Sequence, residues 1–189
     1  MGGLPAPPRF DLWPEALRSA ELRRGTLVAC GPGMRGVGWP DSPRVRLAAL
    51  APWLSGGRVA AFRTAAWVWG AAREPGRPLR VTTVGRGRHS TVGTEQLRVH
   101  ELRLSSEEVV RFGPFGATSP FRTALDLLYD PEHELTVTER VMLRLLFSCF
   151  EGGAEAVRAH LHDHPRPHRA VALQRLAAVV RYSPASREE

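Results

Sequence analysis

The segment Thr118-Ser-Pro-Phe-Arg-Thr-Ala-Leu-Asp-Leu-Leu128 constrains this chain more than any other. A helix is predicted to begin in it. The Ser119 oxygen can accept an orphan backbone N–H, and Pro120 brings a fixed φ to the first helical position, where its missing N–H costs nothing. Phe121, Leu125 and Leu128 then recur at i, i+4, i+7 as one apolar stripe, so the helix has to lie against a core. Arg122 and Asp126 stand four apart on a neighbouring face and can pair. A hydroxyl, a guanidinium and a carboxylate in eleven residues invite a catalytic reading. A nucleophile, however, needs a base within hydrogen-bond reach, and no His or Cys lies nearby in sequence to supply one. The pair is read as structural.

Similar punctuation divides the rest of the chain. Pro14 opens a helix over PEALRSAELRRG, with Leu17 and Leu22 inward, Arg18, Arg23 and Arg24 outward, and Gly25 as the residue that ends it. TLVA and MRGVGW flank the breaker cluster CGPG and read as a β-hairpin. Helix followed by hairpin is the closing half of a winged helix-turn-helix, in which the helix enters a groove and the hairpin touches the backbone. Ser42-Pro43 starts another helix over RVRLAALAPWL, and residues 59–71, VAAFRTAAWVWGA, read as a third whose Trp67 and Trp69 pack. PLRVTTVG (78–85) and EQLRVHELRL (95–104) read as strands. Ser105 with Glu108 makes a capping box for a short helix, and FGPFGATSP adds a brief third strand to the same sheet. Thr136 with Glu139 caps a long helix, and further helices are predicted at about 154–162 and 168–182.

The fold class expected is therefore α+β: a reduced winged-helix-like N-terminal element, a small mixed sheet packed with helices, and a helical C-terminal part. The expected boundaries are a loose arm at 1–8, a partial winged helix-turn-helix at 9–40, a main domain at 41–182 and a tail at 183–189.

Charge narrows the partners. The chain has no lysine, and all 26 basic residues are arginine, giving a formal charge of +7. An all-arginine usage is partly the codon bias of a GC-rich genome. The distribution says more: residues 1–100 hold 15 Arg against 6 acids, whereas residues 101–189 hold 11 against 13. A positive field over the N-terminal half favours a polyanionic partner there, with a solvated basic surface as the plainer alternative. Arg86 and Arg88, in GRGRH, sit on a basic loop suited to nucleic-acid phosphate, but the loop lacks the spaced glycines and lysine of a nucleotide-binding motif. Cys30 and Cys149 are too few for a zinc site or a disulfide framework and are expected to be reduced, buried hydrophobes. His160, His162, Asp163, His164 and His168 crowd together, yet Pro165 and Pro167 break the helix that would hold a metal, so a polar loop is expected. No catalytic motif, cofactor site or metal site is expected. With no apolar run long enough for a span and no signal-peptide layout, no membrane is expected, and the location expected is the cytoplasm.

The ordered segments LRRGTL, FRTAAWVWG, LRVTTV, LRVHELRL and FGATSPFRTALDLL, over about residues 15–182, resemble the AbiEi-type antitoxins of type IV toxin–antitoxin systems. The resemblance implies an N-terminal winged helix-turn-helix that binds operator DNA of its own operon, and a C-terminal domain that counters a nucleotidyltransferase-like toxin. It implies DNA contacts from Arg18, Arg23, Arg24 and Arg35, mostly to phosphate. The family hallmark lands on Ser119, Pro120, Arg122, Thr123 and Asp126, where its role is architectural. Only thirteen residues precede Pro14, fewer than the two further helices of a complete module need. Either a reduced module binds DNA, as a homodimer where one copy is insufficient, or the chain keeps only a protein–protein role, its basic face meeting an acidic partner. Some relatives continue into a Vsr-like nuclease, and this chain stops where that extension would begin, so no nuclease activity is expected.

Overall fold

The computed structural model describes residues 5–83, 94–130 and 134–181. It divides into two units, Met1–Ser119 and Pro120–Glu189. The division falls at the Ser119-Pro120 helix start, inside the segment expected as one domain at 41–182. Residues 9–40 lie within the first unit.

In the first unit a short 3-10 turn, Phe10–Leu12, precedes helix α1, Glu15–Arg24. Gly25 ends α1 at φ 77°, the left-handed conformation glycine adopts without a Cβ penalty. Its N–H bonds the Leu22 carbonyl at 3.2 Å and the Thr26 N–H bonds that of Glu21 at 3.1 Å, the paired bonds of a Schellman motif. Strands β1, Leu27–Cys30, and β2, Gly33–Gly36, follow as the expected antiparallel hairpin, with Cys30 opposite Gly33. Helix α2, Pro43–Ala49, stops short of the predicted length because Pro52 cannot donate to a continuing helix, and a 3-10 turn, Ala51–Trp53, replaces the last part.

Residues 59–71 depart from the single helix expected. They split into strand β3, Arg58–Ala60, and helix α3, Phe62–Val68. Pairing explains the split: β3 bonds β4 (Leu79–Thr83) on one side and β7 (Phe115–Thr118) on the other, and that central place overrides the helix propensity of the alanines. Strand β5 covers only Leu97–His100, and a strand absent from the prediction, β6 (Val109–Phe112), pairs with β7. The capping box at Ser105 does form, but it serves one 3-10 turn, Ser106–Glu108, before the chain extends into β6. The resulting sheet is mixed, ordered β5-β4-β3-β7-β6. Ala60, Leu79, Val81, Val99 and Ala117 share a core with Leu47, Leu50, Ala65, Trp67 and Val68 of α2 and α3 and the turn between them. The α+β class stands.

Among its described residues the second unit has four helices: α4 (Pro120–Tyr129), α5 (Val137–Phe147), α6 (Gly153–Asp163) and α7 (Arg169–Arg181). The Thr136–Glu139 capping box closes the start of α5. Leu128, Leu143, Leu146, Val157, Leu161, Leu176 and Val179 are at most 1% exposed and make the core. The ring of Phe121 meets Phe150 and His160 edge-on at 5.4 and 5.3 Å.

Two side-chain expectations are corrected. Cys149 is exposed, just past the end of α5; Cys30 is buried, and burial pushes its thiol up to about 11. On α1, Leu17 and Leu22 face out, 42% and 37% exposed, and no residue of the helix is buried. Leucines five apart point about 140° from each other on a helix, so they never formed a stripe to bury.

Tight backbone approaches join the hairpin to the helices. A Cβ at Gly33 would fall on the Ala49 carbonyl, and one at Gly31 would lie 2.8 Å from the Trp67 ring. Arg46 ties α2 to α3: it grips Asp41 with two bonds of 2.7 Å, donates to the Trp67 carbonyl, and stands 5.2 Å over the Trp67 ring. Gly33→Ala should destabilise the chain by about 1–3 kcal/mol in denaturant titration, since backbone must move. Gly38→Ala, where an added methyl meets nothing, should change stability by less than about 0.5 kcal/mol. The hydrogen bond from Arg46 holds the Asp41 carboxyl below its ordinary value. A lowered folded value stabilises above the unfolded carboxylate range and is lost as pH falls through the folded one. The stability difference between the chain and Asp41→Asn should therefore be present at neutral pH, begin to shrink at about pH 4 and vanish only below the lowered folded value.

Candidate nucleic-acid interface

The six arginines expected at DNA do not present themselves alike. Arg18 is half-buried: its Nε is shielded from solvent and its side chain lines a small cleft of about 70 Å³ that Phe10, Asp11, Met34 and Trp53 also line. Arg35 is half-buried too, its Nη1 donating to the Trp39 carbonyl at 2.8 Å and the Gly36 carbonyl at 3.4 Å. Arg24 is exposed but pairs with Glu21 at 2.7 Å. The same carboxylate accepts the Thr26 hydroxyl, and that bond first, then Arg24, holds it below the ordinary carboxylate range. Arg23 is exposed and makes no side-chain hydrogen bond or ion pair among the described residues. Arg86 and Arg88 lie outside the described residues.

Arg23 and Arg24 occupy the last turn of α1, where cations complement the carbonyl end of the helix dipole. That is a structural reason for their presence, and it bears on any contact they make. Recognition helices read base edges with their N-terminal residues. Arginines at the opposite end, beside a hairpin, suit phosphate. The hairpin itself is held down at its tip, where Gly31 approaches Trp67 and Pro75. Other arginines of the first unit, absent from the sequence reading, are exposed and without a partner among the described residues: Arg73, Arg77 and Arg111. Their only signal was composition, Arg73 and Arg77 flanking the loop REPGRP and Arg111 sitting in an unrecognised strand.

Comparison of the chain with family models, with curated proteins and with solved structures finds no match.

The same unit exposes apolar side chains around α1. Leu12 is 72% exposed, and Trp13, Leu17 and Leu22 stand beside it in sequence with more than a third of their surface free. A second cluster escaped the sequence reading. The Arg80 guanidinium lies 3.8 Å over the ring of Phe62, its Nε–H donates to His100 Nε2 at 3.0 Å, and the Phe62 and His100 rings are 4.5 Å apart. Phe62 holds φ at 50°, uncommon for a bulky residue. Thr64 fixes the neighbouring backbone, its hydroxyl donating to the Pro75 carbonyl and accepting from the Arg80 N–H, both at 2.8 Å.

In the segment on which the fold was read, Arg122 Nε donates to Asp126 Oδ1 at 2.7 Å, with side chains 6% and 7% exposed. Thr123 is fully buried and Ser119 half-buried, and none of the four lines the cleft beside Arg18. The stacked rings of His160 and His164, 4.3 Å apart, belong to the histidine cluster; among the described residues no group of three or more His, Cys, Asp or Glu is placed to hold a metal ion. No helix among the described residues is long and apolar enough to cross a membrane.

Breaking the buried pair on one side leaves an uncompensated charge. Asp126→Ala should cost about 3–5 kcal/mol by chemical denaturation, and the double change Arg122→Met with Asp126→Leu should cost less than the single one. A double variant at least as unstable as Asp126→Ala would show that both charges have separate work.

Proposed function

We propose that the chain is an AbiEi-like antitoxin and transcriptional regulator that acts by binding: its N-terminal unit meets the operator of its own operon, and the protein counters a nucleotidyltransferase-like toxin. The observation that carries the DNA contact is α1, a surface helix with no buried residue whose Arg23 has no partner among the described residues. The excess of 15 Arg over 6 acids in residues 1–100 supplies the long-range field that draws DNA in. Contacts are to phosphate, so affinity is salt-dependent and sequence adds little through these side chains.

Fluorescence anisotropy with DNA from upstream of the gene tests this reading. Arg23→Ala should weaken binding alike across sequences and reduce the slope of log affinity against log salt by about 0.9. Arg35→Ala should leave that slope nearly unchanged, because its guanidinium is engaged by the Trp39 carbonyl. No binding at low salt sinks the DNA role.

One observation favours a second reading, a protein–protein module without DNA. The exposed Leu12, Trp13, Leu17 and Leu22 offer apolar surface that a phosphate backbone does not use, whereas an acidic protein partner could cover both the leucines and the arginines. Co-purification with the product of the adjacent gene in the absence of DNA, lost on Leu17→Ser with Leu22→Ser, supports it; co-purification unaffected by those changes counts against it.

A further inference from the structure

One loop of the first unit carries arginines that no packing or pairing explains. It leaves α3 at Val68 and enters β4 at Leu79, and its segment Arg73-Glu-Pro-Gly-Arg77 sets Arg73 and Arg77 on either side of a buried Pro75. Both arginines are exposed, and neither makes a hydrogen bond, an ion pair or a ring contact among the described residues. Glu74 between them is exposed as well and pairs with neither. Arg63 of α3 lies against the turn, since a Cβ at Gly76 would stand 3.3 Å from its Cδ. It too has no carboxylate partner among the described residues, and because its Nε is shielded it adds to the field and not to the contacts. Three guanidinium groups gathered against one carboxylate repel each other, a cost that a polyanion relieves.

The base of the loop is fixed. The fully buried Thr64 hydroxyl donates to the Pro75 carbonyl and accepts from the Arg80 N–H, both at 2.8 Å, so one side chain ties the turn to the start of β4. Gly31, at the tip of the β1–β2 hairpin, reaches the same proline: a Cβ there would lie 3.4 Å from Pro75 Cγ. The fold thus sets the two arginines beside the hairpin tip, while Arg23 stands near the other end of β1. The five residue steps from Thr26 to Gly31 cover about 17 Å at about 3.4 Å each. Phosphates on one DNA strand recur far more closely, about 3.4 Å of helix axis apart, so the two places reach different phosphates and their effects should add.

We infer that this loop is a second phosphate-binding element for duplex DNA, with Arg73 and Arg77 on the backbone beside the hairpin tip. The inference rests on the DNA reading of the first unit and adds to it a contact from outside the helix and hairpin. Guanidinium forks donate to phosphate oxygens, and such contacts position a duplex without reading its bases. Glu74 opposes them, which supplies a variant of opposite sign.

Fluorescence anisotropy with duplex DNA across a salt series tests the loop. Arg73→Gln with Arg77→Gln should lower the slope of log affinity against log salt by about 1.8, alike for DNA from upstream of the gene and for unrelated duplexes, and adding Arg23→Ala should lower it by about 0.9 more. Glu74→Gln, which removes a negative charge beside the backbone, should tighten binding about twofold at low salt. Arg158→Gln, on a second-unit arginine paired with Glu155, should change neither quantity. Melting temperatures unchanged in every variant are expected of exposed side chains and separate a lost contact from a lost fold. If Arg23→Ala weakens binding but the double loop variant keeps the full slope, or if Glu74→Gln brings no gain, the loop is overturned and the DNA reading stands. No duplex binding at low salt overturns both.

Discussion

Close backbone approach is the constraint on which the first unit depends. The hairpin reaches α2 and α3 only because Gly33 leaves room for the Ala49 carbonyl and Gly31 for the Trp67 ring. On the other side of that contact, Ala65 and Ala66 are fully buried beside Trp67, and small side chains are what let elements pack so tightly. Arg46 then fixes the approach, joining Asp41, the Trp67 carbonyl and the Trp67 ring through one guanidinium. Dispersion and the hydrophobic effect drive the packing, while the bidentate arginine gives it a single geometry. Trp69 adds a second tie, its indole N–H donating to the Thr118 carbonyl at 2.8 Å, so the strand that leads into the Ser119-Pro120 helix start is anchored to α3.

What was legible in the sequence is what local chemistry decides. Ser105 with Glu108 and Thr136 with Glu139 each form the reciprocal box their spacing predicts, and Gly25 takes the left-handed conformation that ends α1. These depend on residues within one turn of each other. The misread segments depend on partners far along the chain. Nothing near Val59 in sequence announces that it will be flanked by strands from Thr82 and from residue 117, and without that knowledge an alanine-rich run reads as helix. Strand β6 directly follows the Ser105–Glu108 capping box, and that helix signal masks its four residues. Leu17 is a different case, since its spacing of five from Leu22 already denies the two a common face, and Cys149 lies past the end of α5, where helix periodicity no longer applies.

The candidate interface was less legible than the fold, and arginine is the cause. A count of arginines measures the field around a molecule, whereas contact needs guanidinium groups without an internal partner. Arg18 turns into a cleft, Arg35 satisfies carbonyls of its own turn, and Arg24 shares Glu21 with Thr26. With five donors on a long stem, Arg24 and Arg35 find intramolecular acceptors, whereas the Arg18 Nε is shielded without one. The same chemistry makes Arg122 structural, with its carboxylate one turn away and both side chains buried. Availability is thus a tertiary property, which a count along the sequence does not give.

Helix α1 shows how function and stability divide in such a molecule. Ten residues with no buried side chain are short for a helix that stands on propensity alone. Its order comes from its end: the Schellman bonds at Gly25 and Thr26, the Thr26–Glu21–Arg24 chain, and two arginines opposite the carbonyl dipole. Because these devices act along the helix and not across it, α1 holds its shape with residues 18–21 only half-buried and no side chain fully buried. Leu17, Leu22 and Arg23 therefore remain exposed on a helix already held in shape. A helix stabilised by its terminus keeps exposed side chains that a helix held by burial has to commit to the core.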